Sequence, residues 1–148
     1  MPTLTKEQIQ NLLSTPIIAR LATVKPDGSP YLVPVWEYWD GEAMFIIPRA
    51  KSKFVKYLID EPRVAVSCAD DISSDHPRIL IEGTAEIVEG PSIMTGNTLS
   101  IAKEMVLRYS GEAGLRYLED TIDKPRYLVK ITPEKITSWM QGWHPKYG

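Results

Sequence analysis

Residues 17–48 read IIARLATVKPDGSPYLVPVWEYWDGEAMFIIP, and the spacing of turns within this stretch decides the fold class. Ile17 to Val24 and Tyr31 to Trp39 are rich in β-branched, aliphatic and aromatic residues. Between them, Lys25-Pro26-Asp27-Gly28-Ser29 carries the chemistry of a tight hairpin, with Pro26 fixing φ and Gly28 supplying a positive φ. Asp40-Gly41 makes a second hairpin turn, and Ala43 to Pro48 reads as a third strand. Three strands are thus joined by turns alone. A doubly wound parallel sheet needs helices between most consecutive strands. The expectation is therefore a mainly β fold, an antiparallel sheet closed or nearly closed into a small barrel with peripheral helices.

The flanking sequence extends this pattern. Leu4 to Ser14 reads as an amphipathic helix, capped by Thr5, with Ile9, Leu12 and Leu13 on one face and Pro16 as its stop. Val64 to Ala69 reads as a fourth strand and Arg78 to Val88 as a fifth, with the polar, acidic segment Asp70 to Pro77 an exposed loop between them. Ser92 to Ile122 is helical in pattern, broken into two at Ser110-Gly111. Arg126 to Thr132 forms the sixth strand, interrupted at Pro133 and continued from Ile136 to Met140. No internal repeat or low-complexity tract is present.

A chain of 148 residues with 43% hydrophobic and 24% charged content is expected to form one domain over residues 1–148, large enough to bury about 70% of its unfolded surface. A net charge of −2 argues against nucleic acid as a partner, because that job calls for a broad basic surface. No apolar run approaches the roughly 20 residues of a membrane helix. One cysteine, Cys68, allows no intrachain disulfide, and with no apolar leader the expected location is the cytoplasm.

Against that slightly acidic background, Arg49-Ala50-Lys51-Ser52-Lys53-Phe54-Val55-Lys56 holds four cations and no acid. It lies where a helix begins, after the third strand and before Pro62, with Ser52 at the N-cap position. Cations there are unfavourable by a few tenths to about 1 kcal/mol each, because the free N–H groups already carry partial positive charge. A solvated basic face is the plainer reading. A bound phosphate is the sharper one, since free amides, the Ser52 hydroxyl and the ammonium groups would converge on one anion. The dinucleotide glycine fingerprint and the Walker A loop are both absent, so such a site would be of another kind.

Other candidates divide in the same way. His76 and His144 have no neighbouring His or Cys at ligand spacing, so no metal is expected. Cys68 alternates with Val64 and Val66 and reads as a buried small hydrophobe. No Ser/His/Asp arrangement stands out, and no catalytic residue is assigned. Pro34, in the middle of the second strand, marks an edge or a bulge; Val33, Val35 and Trp36 beside it could then face a flat heteroaromatic ligand. The four tryptophans fall in two groups, Trp36 with Trp39 and Trp139 with Trp143. Trp143 sits in a polar, turn-prone tail, Gln141 to Tyr147, that either is an ordinary surface tail or covers a ligand or partner subunit.

The ordered series Ala19-Arg20-Leu21-Ala22-Thr23, Asp27-Gly28-Ser29-Pro30, Pro34-Val35-Trp36, Lys51-Ser52-Lys53, Glu61-Pro62-Arg63-Val64-Ala65 and Ile81-Glu82-Gly83-Thr84-Ala85 resembles the pyridoxamine phosphate oxidase-like flavoproteins of the split-barrel fold. The resemblance covers Thr5 to about Glu89 and is weaker beyond. It implies a six-stranded antiparallel Greek-key barrel and a homodimer, with flavin mononucleotide (FMN), or in one branch the deazaflavin F420, at two interface sites. By the same resemblance, Lys53 binds the phosphate, helped by Lys51 or Ser52. Val33, Pro34, Val35 and Trp36 run along the isoalloxazine ring, and Ile47 and Pro48 border the ribityl chain and phosphate. Arg78 falls where some relatives place a ring-contacting glutamine, and Trp139 or Trp143 would stack over the partner's flavin, with His144 or Lys146 near the ring. Two features depart from the pyridoxamine phosphate oxidases proper: Ser52-Lys53 stands in place of their arginine–lysine pair, and their C-terminal arginine–histidine signature is absent. The implied activity is thus FMN-dependent oxidoreduction of a small molecule other than a B6 vitamer. The alternatives are an F420-dependent reductase, or a flavin- or haem-binding carrier or sensor without turnover.

Overall fold

The computed structural model describes residues 3–141. Helix α1 (Lys6–Leu13) opens the chain with a complete capping box, the Thr5 hydroxyl accepting from the Gln8 N–H while the Gln8 side chain accepts from the Thr5 N–H. Strands β1 (Ala19–Val24) and β2 (Pro30–Val35) form the first hairpin, with Leu21 opposite Val33. The expected second strand, Tyr31 to Trp39, is in fact two: after Val35 the chain leaves the sheet at Trp36-Glu37 and re-enters it as β3 (Tyr38–Trp39), which pairs with β4 (Met44–Ile46). The sheet accordingly has seven strands rather than six.

Helix α2 (Lys53–Asp60) follows β4, then β5 (Arg63–Ala69), β6 (Arg78–Ser92), helix α3 (Gly96–Asp120) and β7 (Arg126–Trp139). Strand order is β2-β1-β5-β6-β7-β4-β3, with every pairing antiparallel. Pro133 does not end β7. It falls opposite Gly83 at a register irregularity, where a bulge absorbs the missing N–H and the strand continues to Trp139. The two edge strands, β2 and β3, are consecutive in the chain. Val35 and Tyr38 therefore sit on opposite edges of the sheet yet are separated by three peptide units, no more than about 11 Å. The sheet must curl back on itself, and the result is an open, split barrel.

Alternation along the strands fills the interior: Leu21 from β1, Val66 and Cys68 from β5, Ile79 and Ile81 from β6, and Val129 and Ile131 from β7 are all buried. Leu12 and Leu13 of α1 and Phe54, Val55 and Leu58 of α2 join the same core. Helix α3 packs outside the barrel through separate clusters that include Ala102, Val106 and Leu118, and Ile101, Met105 and Leu128. It bends at Gly111, whose φ of 58° and ψ of −141° lie outside helical space, at the break expected from Ser110-Gly111. The corner is sharp enough to bring Gly114 against the preceding half, where a Cβ would stand 2.4 Å from the Val106 carbonyl oxygen. No described helix is long and apolar enough to cross a membrane.

Candidate functional site

Between the barrel and α3 lies a cavity of about 510 Å³. Its barrel wall is Val33, Pro34 and Val35 of β2, Trp36 at the corner, and Ile46, Ile47 and Pro48 at the end of β4. The opposite wall comes from both halves of α3, Met105 and Val106 before the bend and Gly114 and Leu118 after it. β2 is a sheet edge, which is where a proline such as Pro34 is tolerated. Such a volume, apolar on two sides, lies in the range of small-molecule sites.

At one end the cavity meets the start of α2. Ser52 is the N-cap residue by backbone geometry, but its hydroxyl makes no capping bond, and the first turn of the helix contains no acid. Ser52 lines the cavity; Lys51 and Lys53 on either side of it are exposed at the rim. Free helix N–H groups, an uncommitted hydroxyl and two ammonium groups are thus gathered at an apolar slot, the donor set that an anionic group on a planar ligand requires.

A second set of cations stands beside the first. Arg49 and Arg126 face each other across an isolated antiparallel bridge, supported by the Ala50 N–H donating to the Pro125 carbonyl (3.0 Å) and the Tyr127 N–H donating to the Pro48 carbonyl (3.0 Å). Arg49 Nη2 donates to the Tyr117 hydroxyl at 2.8 Å and Arg126 Nη2 at 3.4 Å, and the guanidinium carbons lie 5.7 and 5.8 Å from its ring centre. Neither arginine forms an ion pair with a described residue. Burial alone would raise the Tyr117 phenol, but the hydrogen bonds and charges of Arg126 and Arg49 outweigh it and hold the group below its ordinary value.

Behind Trp36 the barrel holds a buried charge. Glu37 is 0% exposed, and its nearest cationic partner, Arg108 Nη2 on α3, lies 3.3 Å away in a geometry too skewed for a hydrogen bond. Arg108 Nη1 donates to the Leu13 carbonyl at 2.6 Å. The Tyr109 hydroxyl donates to the Ile17 carbonyl at 2.6 Å and accepts from the Glu37 N–H at 3.2 Å. Tyr109 in turn stacks flat on Trp36, with ring centres 4.9 Å apart and planes 4° apart. Burial pushes the Glu37 carboxyl up, Arg108 and Tyr109 pull it back, and the balance lies at about 7. Cys68, nearby in the core, is pushed up to about 12 by burial and by Glu37, so its thiol is inert, consistent with a packing role.

Residues 5–140 match the sequence model of the pyridoxamine 5′-phosphate oxidase family. The chain belongs to that family. Among solved structures, a conserved hypothetical protein of Mycobacterium tuberculosis is 26% identical with a TM-score of 0.75, the match covering 94% of this chain and 86% of the other. An F420 reductase is 25% identical with a TM-score of 0.59, over 86% and 94% of the two chains. A FAD-binding protein of Mesorhizobium loti is 18% identical with a TM-score of 0.66, over 94% and 95%, a likeness of fold alone. No curated protein matches in sequence.

In this member of the pyridoxamine 5′-phosphate oxidase family, seven residues expected at the site line one cavity: Val33, Pro34, Val35, Trp36, Ile47, Pro48 and Ser52. Lys51 and Lys53 flank that set at the rim without lining it. Arg78 and Trp139 lie elsewhere, as a cross-strand pair of β6 and β7 with the guanidinium 5.9 Å from the indole centre. Trp143, His144 and Lys146 fall outside the described residues. Sequence reasoning missed Tyr117, Arg126 and the whole α3 wall. Arg126 opens the last strand after Lys124-Pro125 and carries no local motif; only the pairing of Arg49 with Arg126 brings it to the cavity.

Proposed function

We propose that this protein is a flavin-dependent oxidoreductase that holds FMN in the cavity between β2 and α3 and acts on a small molecule. The observation that carries the reading is the meeting of an apolar, two-walled cavity with the acid-free start of α2, where Ser52 is uncommitted and Lys51 and Lys53 stand on either side. FMN has the matching halves, a flat ring and a terminal phosphate. When bound, the flavin supplies hydride transfer, and the protein supplies binding, orientation and electrostatics. Lys53, Lys51, Ser52 and the α2 amides would hold the phosphate, Ile47 and Pro48 would border the ribityl chain, and Val33 to Trp36 would fix the ring plane and exclude water.

Arg78, Trp139 and Trp143 fit this reading through a homodimer. Arg78 and Trp139 do not line the cavity of their own chain, so on this reading they would reach a flavin across an interface with a second copy. A second cofactor reading, F420, is favoured by the additional cations Arg49 and Arg126 and by the 25% identity to an F420 reductase. Purified protein titrated separately with FMN and F420 decides between them. Bound-flavin absorbance with quenched fluorescence at one FMN per chain supports the leading reading, a marked preference for F420 transfers the function to that cofactor, and binding of neither removes both. Tight FMN binding with no reduction by nicotinamide donors would make the protein a carrier or sensor.

A further inference from the structure

We propose that Arg49, Tyr117 and Arg126 form a second anion subsite, on the α3 side of the cavity, which takes the carboxylate of a small, planar, apolar substrate. The inference rests on the cofactor's phosphate lying at the start of α2, which leaves the two arginines without a counter-ion. The hydrogen-bond accounting is specific. A phenol oxygen has two acceptor lone pairs and one donor, and here both lone pairs face guanidinium donors, from Arg49 and Arg126. The Tyr117 proton has no acceptor among the described residues; Tyr117, 43% exposed, and Arg126 line the cavity, and Arg49 meets them from outside its lining. Arg126 Nε is buried and unpartnered, while its Nη1 and Nη2 groups are held by the Ile47 carbonyl at 3.3 Å and the Thr121 hydroxyl at 3.3 Å. That anchoring fixes the guanidinium plane before any ligand arrives.

Two guanidiniums drawn to one neutral hydroxyl repel each other, and an anion between them relieves the repulsion. A carboxylate suits the set better than a neutral acceptor, because its charge meets two guanidiniums, the uncommitted donors of Arg49 can take its oxygens, and the phenol proton adds a further bond. The adjoining wall of Val106, Ala113, Gly114 and Leu118 offers no charged group, so the body attached to that carboxylate should be apolar. The apolar body would then lie in the same cavity as the flavin.

Calorimetric titration with benzoate and its neutral isostere benzamide tests the assignment, on FMN-loaded and cofactor-free protein. Benzoate should bind the loaded wild type at least about tenfold more tightly than benzamide, and Tyr117→Phe and Arg126→Gln should each weaken benzoate by about tenfold with FMN stoichiometry unchanged, as expected for loss of a charge-assisted bond. Arg126→Lys, which keeps the charge but not the fork, should fall between. Equal binding of benzoate and benzamide, or variants that bind benzoate like the wild type, would overturn the proposal. So would loss of FMN from Arg126→Gln in a folded protein, which would assign the arginine to the cofactor's phosphate. If the wild type takes no FMN the cofactor reading fails by itself; benzoate binding to the cofactor-free protein that disappears in Tyr117→Phe would still support the subsite, and its absence there would remove it.

Discussion

Lys53 and Glu37 are charges of opposite standing, one exposed at the rim of the cavity and the other sealed beneath it. Lys53→Glu places an acid in the first turn of α2, where the helix dipole favours it, so the fold should be unharmed, with a stability change below about 0.5 kcal/mol. FMN affinity should nevertheless fall by about 2 to 4 kcal/mol, the usual effect of replacing an attractive charge by a repulsive one at a bound phosphate; unchanged affinity in fluorescence titration would move the phosphate elsewhere. Glu37 makes its prediction through pH. Its carboxyl titrates near 7 in the folded chain against an ordinary value of 4.5, so between those values the native state binds more protons than the unfolded one. Stability from this group is fully present below pH 4.5 and is lost as pH rises through about 7, with a slope of up to about 1.4 kcal/mol per pH unit. Glu37→Gln keeps the shape and removes the titration, so urea denaturation should show a smaller loss of stability from pH 5 to pH 8 than in the wild type, with Arg108, Tyr109 and Cys68 the charged and titratable groups facing the site. Equal slopes in the two proteins would place the Glu37 carboxyl outside that pH window. Lys51, Ser52 and Lys53 were legible in the sequence because four cations at a helix start break a local electrostatic rule. Glu37 was not, because a lone acid between Trp36 and Tyr38 in a strand-like run looks like a solvent-facing position until the corner is built.

The element that shapes the site most is α3, and its bend is a local event with a distant effect. Gly111 holds a φ of 58° with a ψ of −141°, a combination costly to any residue with a side chain. Gly111→Ala should destabilise the protein by about 1–3 kcal/mol, lowering Tm by roughly 2–4 °C for each kcal/mol. Because Tyr117 and Leu118 lie beyond the corner and Met105 and Val106 before it, ligand affinity should fall together with Tm in thermal and binding assays. A variant with unchanged Tm would mean that the corner is not held in this conformation. The break was readable from Ser110-Gly111, since glycine is the usual residue at such a conformation. The division of the second strand into β2 and β3 was not: Tyr31 to Trp39 has continuous strand character, and the exit at Trp36-Glu37 is imposed by Tyr109 and Arg108, more than 70 positions away in sequence. Strand propensity is local, whereas the choice of sheet edge is made by tertiary contacts.

At the scale of the whole molecule, the closure that brings β2 and β3 together also decides what the barrel shows to solvent. β2 remains an edge, yet Pro30 and Pro34 stand two residues to either side of Leu32 and supply no N–H, which blunts the edge against strand addition. Leu32 is 63% exposed and adjoins Val33 and Pro34 of the cavity wall. A second copy packed against this edge would cover that side chain. On the homodimer reading, that packing would also carry the partner's Arg78 and Trp139 toward the flavin. Leu32→Glu then buries an unpaired charge at the interface, at a cost of several kcal/mol. Sedimentation at micromolar concentration should show the wild type as a dimer and the variant as a monomer, and the variant should lose FMN affinity although every phosphate contact in its own chain is intact. A wild-type monomer already saturated with FMN would remove the interface from the site, and would leave the barrel wall from Val33 to Trp36 with Ile47 and Pro48, the α3 wall and the α2 cations as the whole of the binding surface.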